Sequence, residues 1–171
     1  IANRVFADSG DFPNIKLIRK NFPDLTFRYS FYTEAEIDFR QELNTVEDLD
    51  FPLTDFQRKL WENLASDEDV ITVAPTSAGK THIILSYLMR RIIESDGAFA
   101  AIIVPTRALI SEVAGKLYEI AKEQRYEHDV ELCTVPQEHG YADKTLFVMT
   151  QERLFDALQS GDISFDYLFA I

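Results

Sequence analysis

The chain has 171 residues, 46% of them apolar, enough for a globular fold with its own core. Lys and Arg number 17 against 29 Asp and Glu, a net charge of −12, which excludes a generally basic, polyanion-coating surface and confines any nucleic-acid contact to a few loops. The single cysteine, Cys133, allows no disulfide within the chain, no apolar stretch reaches membrane-spanning length and no signal-peptide pattern opens the sequence, so an intracellular, cytoplasmic protein with no membrane partner is expected.

Residues 1–50 differ in texture from residues 51–171. Ten acidic residues face six basic ones there, and no long helical pattern comes before Thr33. Asn21-Phe22-Pro23-Asp24 reads as a turn. Phe27, Tyr29 and Phe31 alternate with Arg28 and Ser30, the pattern of a strand with one apolar face, and Tyr32 adds to the aromatic cluster. Residues 33–44 fit a short helix with Thr33 as cap and Glu36 completing a capping box. These patterns imply a small acidic α+β segment. It is either an accessory module that docks a protein partner or a packing layer on the next domain.

From about Phe51 the pattern alternates. Helices are expected over 54–65, 79–95, 107–125 and 151–159, and strands over 70–74, 100–104, 129–135, 145–149 and 166–171. Runs such as Ala100-Ala101-Ile102-Ile103-Val104 are apolar throughout, which implies a parallel sheet covered on both faces. Strand–helix alternation implies βαβ crossovers, with ligands at the carboxyl ends of the strands. Cys133, in the run Val130-Glu131-Leu132-Cys133-Thr134-Val135, reads as a small buried hydrophobe. His82, His128 and His139 form no metal-ligand spacing with it, so no zinc site is expected. The chain opens at Ile1 and stops at Ile171 inside an apolar run, so a longer polypeptide is expected.

The strongest chemical signal is Ala74-Pro75-Thr76-Ser77-Ala78-Gly79-Lys80-Thr81. It fits the Walker A phosphate loop with Ala at the first Gly position, between a β-like run (Val70-Ile71-Thr72-Val73) and a helical one. Such a loop wraps a triphosphate in backbone N–H groups while the next helix points its positive end at the same phosphates. Lys80 would reach the β and γ phosphates of ATP, Thr81 would offer its hydroxyl to Mg²⁺, and Gly79 would let the backbone come close.

Three further stretches carry weaker signals. Leu53-Thr54-Asp55-Phe56-Gln57 lies upstream of the loop. The Gln57 amide could pair with adenine, and Thr54 and Gln57 also have capping-box spacing, with Leu53, Phe56, Leu60 and Leu64 forming an apolar helical face. Pro105-Thr106-Arg107-Ala108-Leu109 comes after a strand. It reads equally as a phosphate contact and as a turn with Thr106 as N-cap. Thr150-Gln151-Glu152-Arg153-Leu154 comes after another strand. By itself it reads better as a helix start with Thr150 as cap and Arg153 solvated.

Together and in this order, these residues resemble the first RecA-like lobe of superfamily-2 nucleic-acid helicases, most closely the Ski-like and DEAD/DEAH branches. Gln57 is similar to the Q-motif, Ala74 to Thr81 to motif I, Pro105 to Leu109 to motif Ia and Thr150 to Leu154 to the T-x-E-R element. The resemblance covers residues 51–171. It implies an α/β fold, part of a P-loop RecA-like lobe, with 1–50 as a separate accessory segment. It further implies that Gln57, Ala74, Pro75, Thr76, Ser77, Ala78, Gly79, Lys80 and Thr81 hold ATP and Mg²⁺, with Lys80 and Thr81 catalytic. Thr106, Arg107, Thr150 and Arg153 would then line the path of one DNA or RNA strand.

The family's next motif, Asp-Glu-x-His/Asp, comes after a strand like Phe165 to Ile171, where this chain stops. That motif and the second lobe with its arginine finger are expected in the rest of the polypeptide, so the chain alone is expected not to hydrolyse ATP usefully. The whole would be an ATP-dependent helicase or translocase, in repair, RNA turnover or anti-phage defence. Two alternatives stay open: a P-loop ATPase that acts as a nucleotide-dependent switch without translocation, and a motor docked to a partner through residues 1–50.

Overall fold

The computed structural model describes residues 2–23, 30–46, 49, 51–66, 68–126, 128–135, 140–161 and 163–171. The chain divides into two compact units, Ile1–Lys80 and Thr81–Ile171.

The described part of the first unit is helical. Helix α1 (Ala2–Asp8) ends in a turn at Gly10, whose φ of +70° suits a residue without Cβ. Helix α2 (Phe12–Asn21) is capped by the Asp11 carboxylate and carries Pro13 in its first turn, where no intrahelical N–H is lost. Helix α3 (Phe31–Leu43) comes next, then α4 (Asp55–Leu64). Phe12 and Ile15 of α2 are fully enclosed by Ala7 of α1 and Ile37 of α3, a satellite core for the N-terminal helices.

Three expectations change here. Two helices precede Thr33, because Ala7, Phe12 and Ile15 make a core in spite of the charged residues between them. The cap of α3 is Ser30, whose Oγ accepts from the Thr33 N–H, so Thr33 lies inside the helix rather than at its start. Phe31 opens that helix and does not extend a strand; Phe27 and Tyr29, the other aromatics of that expected strand, lie outside the described residues. The expected turn holds Asn21 as the last residue of α2 and Phe22 as its cap.

The run Val70-Ile71-Thr72-Val73 is not a strand either. It has the right β-branched residues, but Ile71 and Val73 are 93% and 92% exposed. A strand exists only where a neighbour completes its ladder, and no other strand is found among the described residues of Ile1–Lys80.

The second unit is built on a parallel sheet. Its helices are α5 (Lys80–Glu94), α6 (Arg107–Glu123) and α7 (Gln151–Ser160), and its strands β1 (Ala98–Val104), β2 (Glu131–Cys133), β3 (Lys144–Thr150) and β4 (Tyr167–Ala170). The strand order is β2-β3-β1-β4 and every pairing is parallel. Central β1 and β3 bury both faces, as their unbroken apolar sequences require. On one face Ala100, Ile102, Val104, Leu146 and Val148 meet Leu85, Leu88, Met89 and Ile92 of α5 and Val113, Leu117 and Ile120 of α6. On the other, Ala101, Cys133, Phe147 and Met149 pack with Leu154 of α7 and with Tyr141, Ile163 and Phe165. The Phe147 ring takes edge-on contacts from Tyr141, Phe99 and Phe165, with centroids 4.9, 6.0 and 5.4 Å away. Strand β2 is shorter than the expected 129–135, because only Glu131 to Cys133 find partners on β3.

Strand register sets the carboxyl edge of the sheet. Val104 pairs with Thr150, so the turns after β1 and β3 emerge side by side there, where α6 and α7 begin. Among the described residues no helix is long and apolar enough to cross a membrane.

Candidate functional site

Helix α4 starts with a complete capping box. Thr54 Oγ1 accepts from the Gln57 N–H at 3.1 Å, and Gln57 Oε1 accepts from the Thr54 N–H at 3.0 Å. Buried Leu53, Leu60 and Trp61 hold the helix by its apolar face. The Gln57 amide nitrogen then donates to the Ala78 carbonyl at 3.2 Å. An amide group offers two donor hydrogens and two acceptor lone pairs. The two internal bonds use one of each, which leaves one donor and one acceptor, the complement of adenine N7 and N6–H₂.

The loop itself is closely organised. Thr76–Ala78 forms one 3₁₀ turn, closed by the Ala78 N–H on the Pro75 carbonyl at 3.1 Å. Gly79 comes next at φ +72°, the left-handed region. A Cβ there would lie 2.6 Å from Gln57 Nε2, so both conformation and space call for glycine. Lys80 opens α5. Its ammonium donates to the Pro75 carbonyl at 2.8 Å and to the Ala74 carbonyl. The side chain is thus folded over its own loop, within reach of whatever the loop encloses. Thr81 is the second residue of α5, whose first-turn N–H groups have no partner inside the helix. Left-handed glycine, lysine over the loop and a helix start suit a polyphosphate chain.

In the second unit, Thr106 and Arg107 stand exposed beyond β1, and no side-chain bond caps α6 at Thr106. Thr150 and Arg153 differ. Thr150 is buried and its hydroxyl bonds the Glu152 carboxylate. That bond, the Glu152 N–H and the Arg107 charge together hold the Glu152 carboxyl below the usual range. Arg153 is half-buried and donates to the Thr134 carbonyl at 2.6 Å, so it is tied to the turn after β2 and is not the freely solvated side chain its sequence context suggests. The register brings all four positions to one sheet edge, but only Thr106 and Arg107 present side chains outward.

Sequence reasoning passed over one group of residues in the first unit. Asp55, first residue of α4, accepts from Arg40 Nη2 at 2.8 Å and from Asn44 Nδ2 at 2.6 Å. Its backbone N–H bonds the Gly10 carbonyl at 3.1 Å. An acidic residue directly after a capping threonine was the available signal; the partners lie 11 and 15 residues away in sequence, a separation no local pattern reveals.

Compared with known proteins, the chain matches the family profile described as DEAD/DEAH box helicase over residues 54–168. It is 26% identical over 183 aligned residues to the ATP-dependent RNA helicase DBP2 of Pyricularia oryzae, covering 83% of this chain and 32% of that protein. It is 28% identical over 86 residues to an uncharacterized helicase of Caenorhabditis elegans, covering 50% of this chain and 5% of that one. The chain therefore spans about a third or less of the length of these relatives.

Proposed function

We propose, from the premise that this chain belongs to the DEAD/DEAH box helicase family, that it supplies the nucleotide cradle and part of the strand path of an ATP-dependent helicase or translocase. Residues 51–171 would form the first part of a RecA-like lobe, with 1–50 as an accessory segment. The observation that carries this reading is the arrangement of Gln57, Gly79 and Lys80. Gln57 spans from the α4 cap to the loop, Gly79 leaves the space that the amide fills, and Lys80 lies over the loop carbonyls. Gln57 would select adenine. Ala74 to Gly79 would enclose the phosphates, Lys80 would neutralise the β and γ phosphates, and Thr81 would hold Mg²⁺. Magnesium, when bound, offsets phosphate charge as the γ phosphoryl group leaves.

Thr106 and Arg107, with Thr150 and Arg153 beside them at the same sheet edge, would face one strand of DNA or RNA. The remainder of the polypeptide would contribute the acidic motif and the second lobe, so residues 1–171 alone would not turn over ATP. A protein partner at residues 1–50, and service in repair or anti-phage defence, belong to the same proposal.

Lys80→Ala in the full-length protein tests the cradle. Removing a charge-assisted contact should cost about 1.5–3 kcal/mol of ATP binding, roughly ten- to a hundredfold in Kd, with a fold that stays intact although it loses the bonds to the Ala74 and Pro75 carbonyls. An unaltered Kd would remove Lys80 from the site.

A second reading, a nucleotide-dependent switch that never moves along a strand, draws support from one observation. Buried Thr150 and internally bonded Arg153 are half of the proposed strand path.

A further inference from the structure

We propose that Asp55, gripped by Arg40 and Asn44, is the positioning group that sets Gln57 for adenine, so that residues of the N-terminal helices govern nucleotide choice without touching the nucleotide. The inference rests on the reading of Gln57 as the adenine-selecting group.

The geometry runs outward from the capping box. Gln57 Oε1 is held by the Thr54 N–H, so the plane of the amide tracks the backbone at Thr54. That backbone is fixed on both sides by earlier parts of the chain. The Leu53 N–H donates to the Asn44 carbonyl at 2.7 Å, and the Asp55 N–H to the Gly10 carbonyl at 3.1 Å. The Asp55 carboxylate adds two further ties. One oxygen takes Arg40 Nη2 at 2.8 Å and the other takes Asn44 Nδ2 at 2.6 Å.

Arg40 is itself immobilised. Its Nη1 donates to the Ala7 carbonyl at 2.8 Å, and its guanidinium lies 5.2 Å from the centre of the Phe12 ring. Asn44 is buried at 6% exposure, so its amide has little freedom to find water instead. Gly10 completes the fit. At φ +70° it brings its carbonyl to Asp55, and a Cβ there would collide with the Asp55 carboxylate.

An exposed ion pair alone contributes little stability, and half of the Asp55 side chain is exposed. The effect expected of this network is therefore orientation. One amide must present a donor and an acceptor to two adjacent atoms of one base. Release of Asp55 would let the first turn of α4 drift and would spoil that match, while leaving contacts to the phosphates as they are.

The test measures Kd for Mg-ATP and Mg-GTP on the full-length protein in four forms: wild type, Gln57→Ala, Asp55→Ala and the double variant. Thermal midpoints are recorded for each, and Asp55→Asn and Arg40→Gln serve if Asp55→Ala does not fold. The expected result is that Gln57→Ala and Asp55→Ala each lower the preference for ATP over GTP roughly five- to tenfold, about one hydrogen bond's worth. GTP affinity should fall less than ATP affinity, and the double variant should lose no more of the preference than either single one. If Gln57→Ala loses the preference while Asp55→Ala keeps it, the positioning role is overturned and the adenine reading stands. An equal loss of affinity for both nucleotides in Asp55→Ala overturns it as well. If Gln57→Ala itself keeps the preference, the adenine reading fails and the inference falls with it.

Discussion

Gly79 shows how much can rest on one missing methyl group. Its backbone is left-handed, which costs other L-residues about 1–2 kcal/mol. The volume where a Cβ would sit is already taken by the Gln57 amide. Gly79→Ala should therefore lower the unfolding free energy by about that amount and also weaken ATP binding, because Gln57 must let go of the Ala78 carbonyl. Calorimetry and nucleotide titration on the same variant check both effects. Cys133 is a second case at this scale. Burial raises its thiol pKa, and the thiol donates to the Val135 carbonyl at 3.0 Å, a bond that only the neutral form can make. The folded state thus favours the neutral form. The stability this contributes is complete below the ordinary thiol value and is lost as pH rises through the raised folded value. Cys133→Ala should flatten that alkaline decline in a pH series of melting curves, and alkylation of native Cys133 should be slow at neutral pH.

At the scale of elements, the contrast between Arg107 and Arg153 is the most useful. Both come after threonines at the ends of adjacent strands, yet one is exposed and the other donates to a backbone carbonyl. Arg107→Ala should lower the log–log salt slope of single-strand binding by about 0.7, similarly for every sequence, with no loss of stability. Arg153→Ala should instead reduce stability by about 1.5–3 kcal/mol, through the orphaned Thr134 carbonyl and the turn it holds. A stability loss confined to Arg107→Ala would reverse the assignment.

The same scale shows what sequence can reveal. Helices α4 to α7 and strands β1, β3 and β4 were legible, because each has a clear period or an unbroken apolar run with a capping residue. The Thr54–Gln57 box was legible from spacing alone. Helices α1 and α2 were not, since Phe12 and Ile15 become core only through Ala7 and Ile37 from other elements. The run at 70–74 misled because β-propensity describes a residue's fit to a sheet and cannot say whether a partner strand is there. The Asp55 network was hidden by its long separations in sequence. The site roles given to Lys80, Thr81, Gln57, Thr106, Arg107, Thr150 and Arg153 rest on motif and position.

For the molecule as a whole, charge and proposed function point in different directions. A net charge of −12 repels a polyanion, whereas the helicase or translocase function proposed above requires a strand of nucleic acid to be engaged. The two agree if contact is limited to the rim where α6 and α7 begin, with exposed Thr106 and Arg107 as its outward groups. Such a small basic footprint should bind strands weakly and with a shallow salt dependence. The most direct test is the ATPase rate of the full-length protein with and without single-stranded DNA or RNA, in wild type and Lys80→Ala. A turnover that rises on adding a strand, and that vanishes in Lys80→Ala, is the predicted result; a wild-type rate indifferent to both DNA and RNA would contradict the strand-walking account.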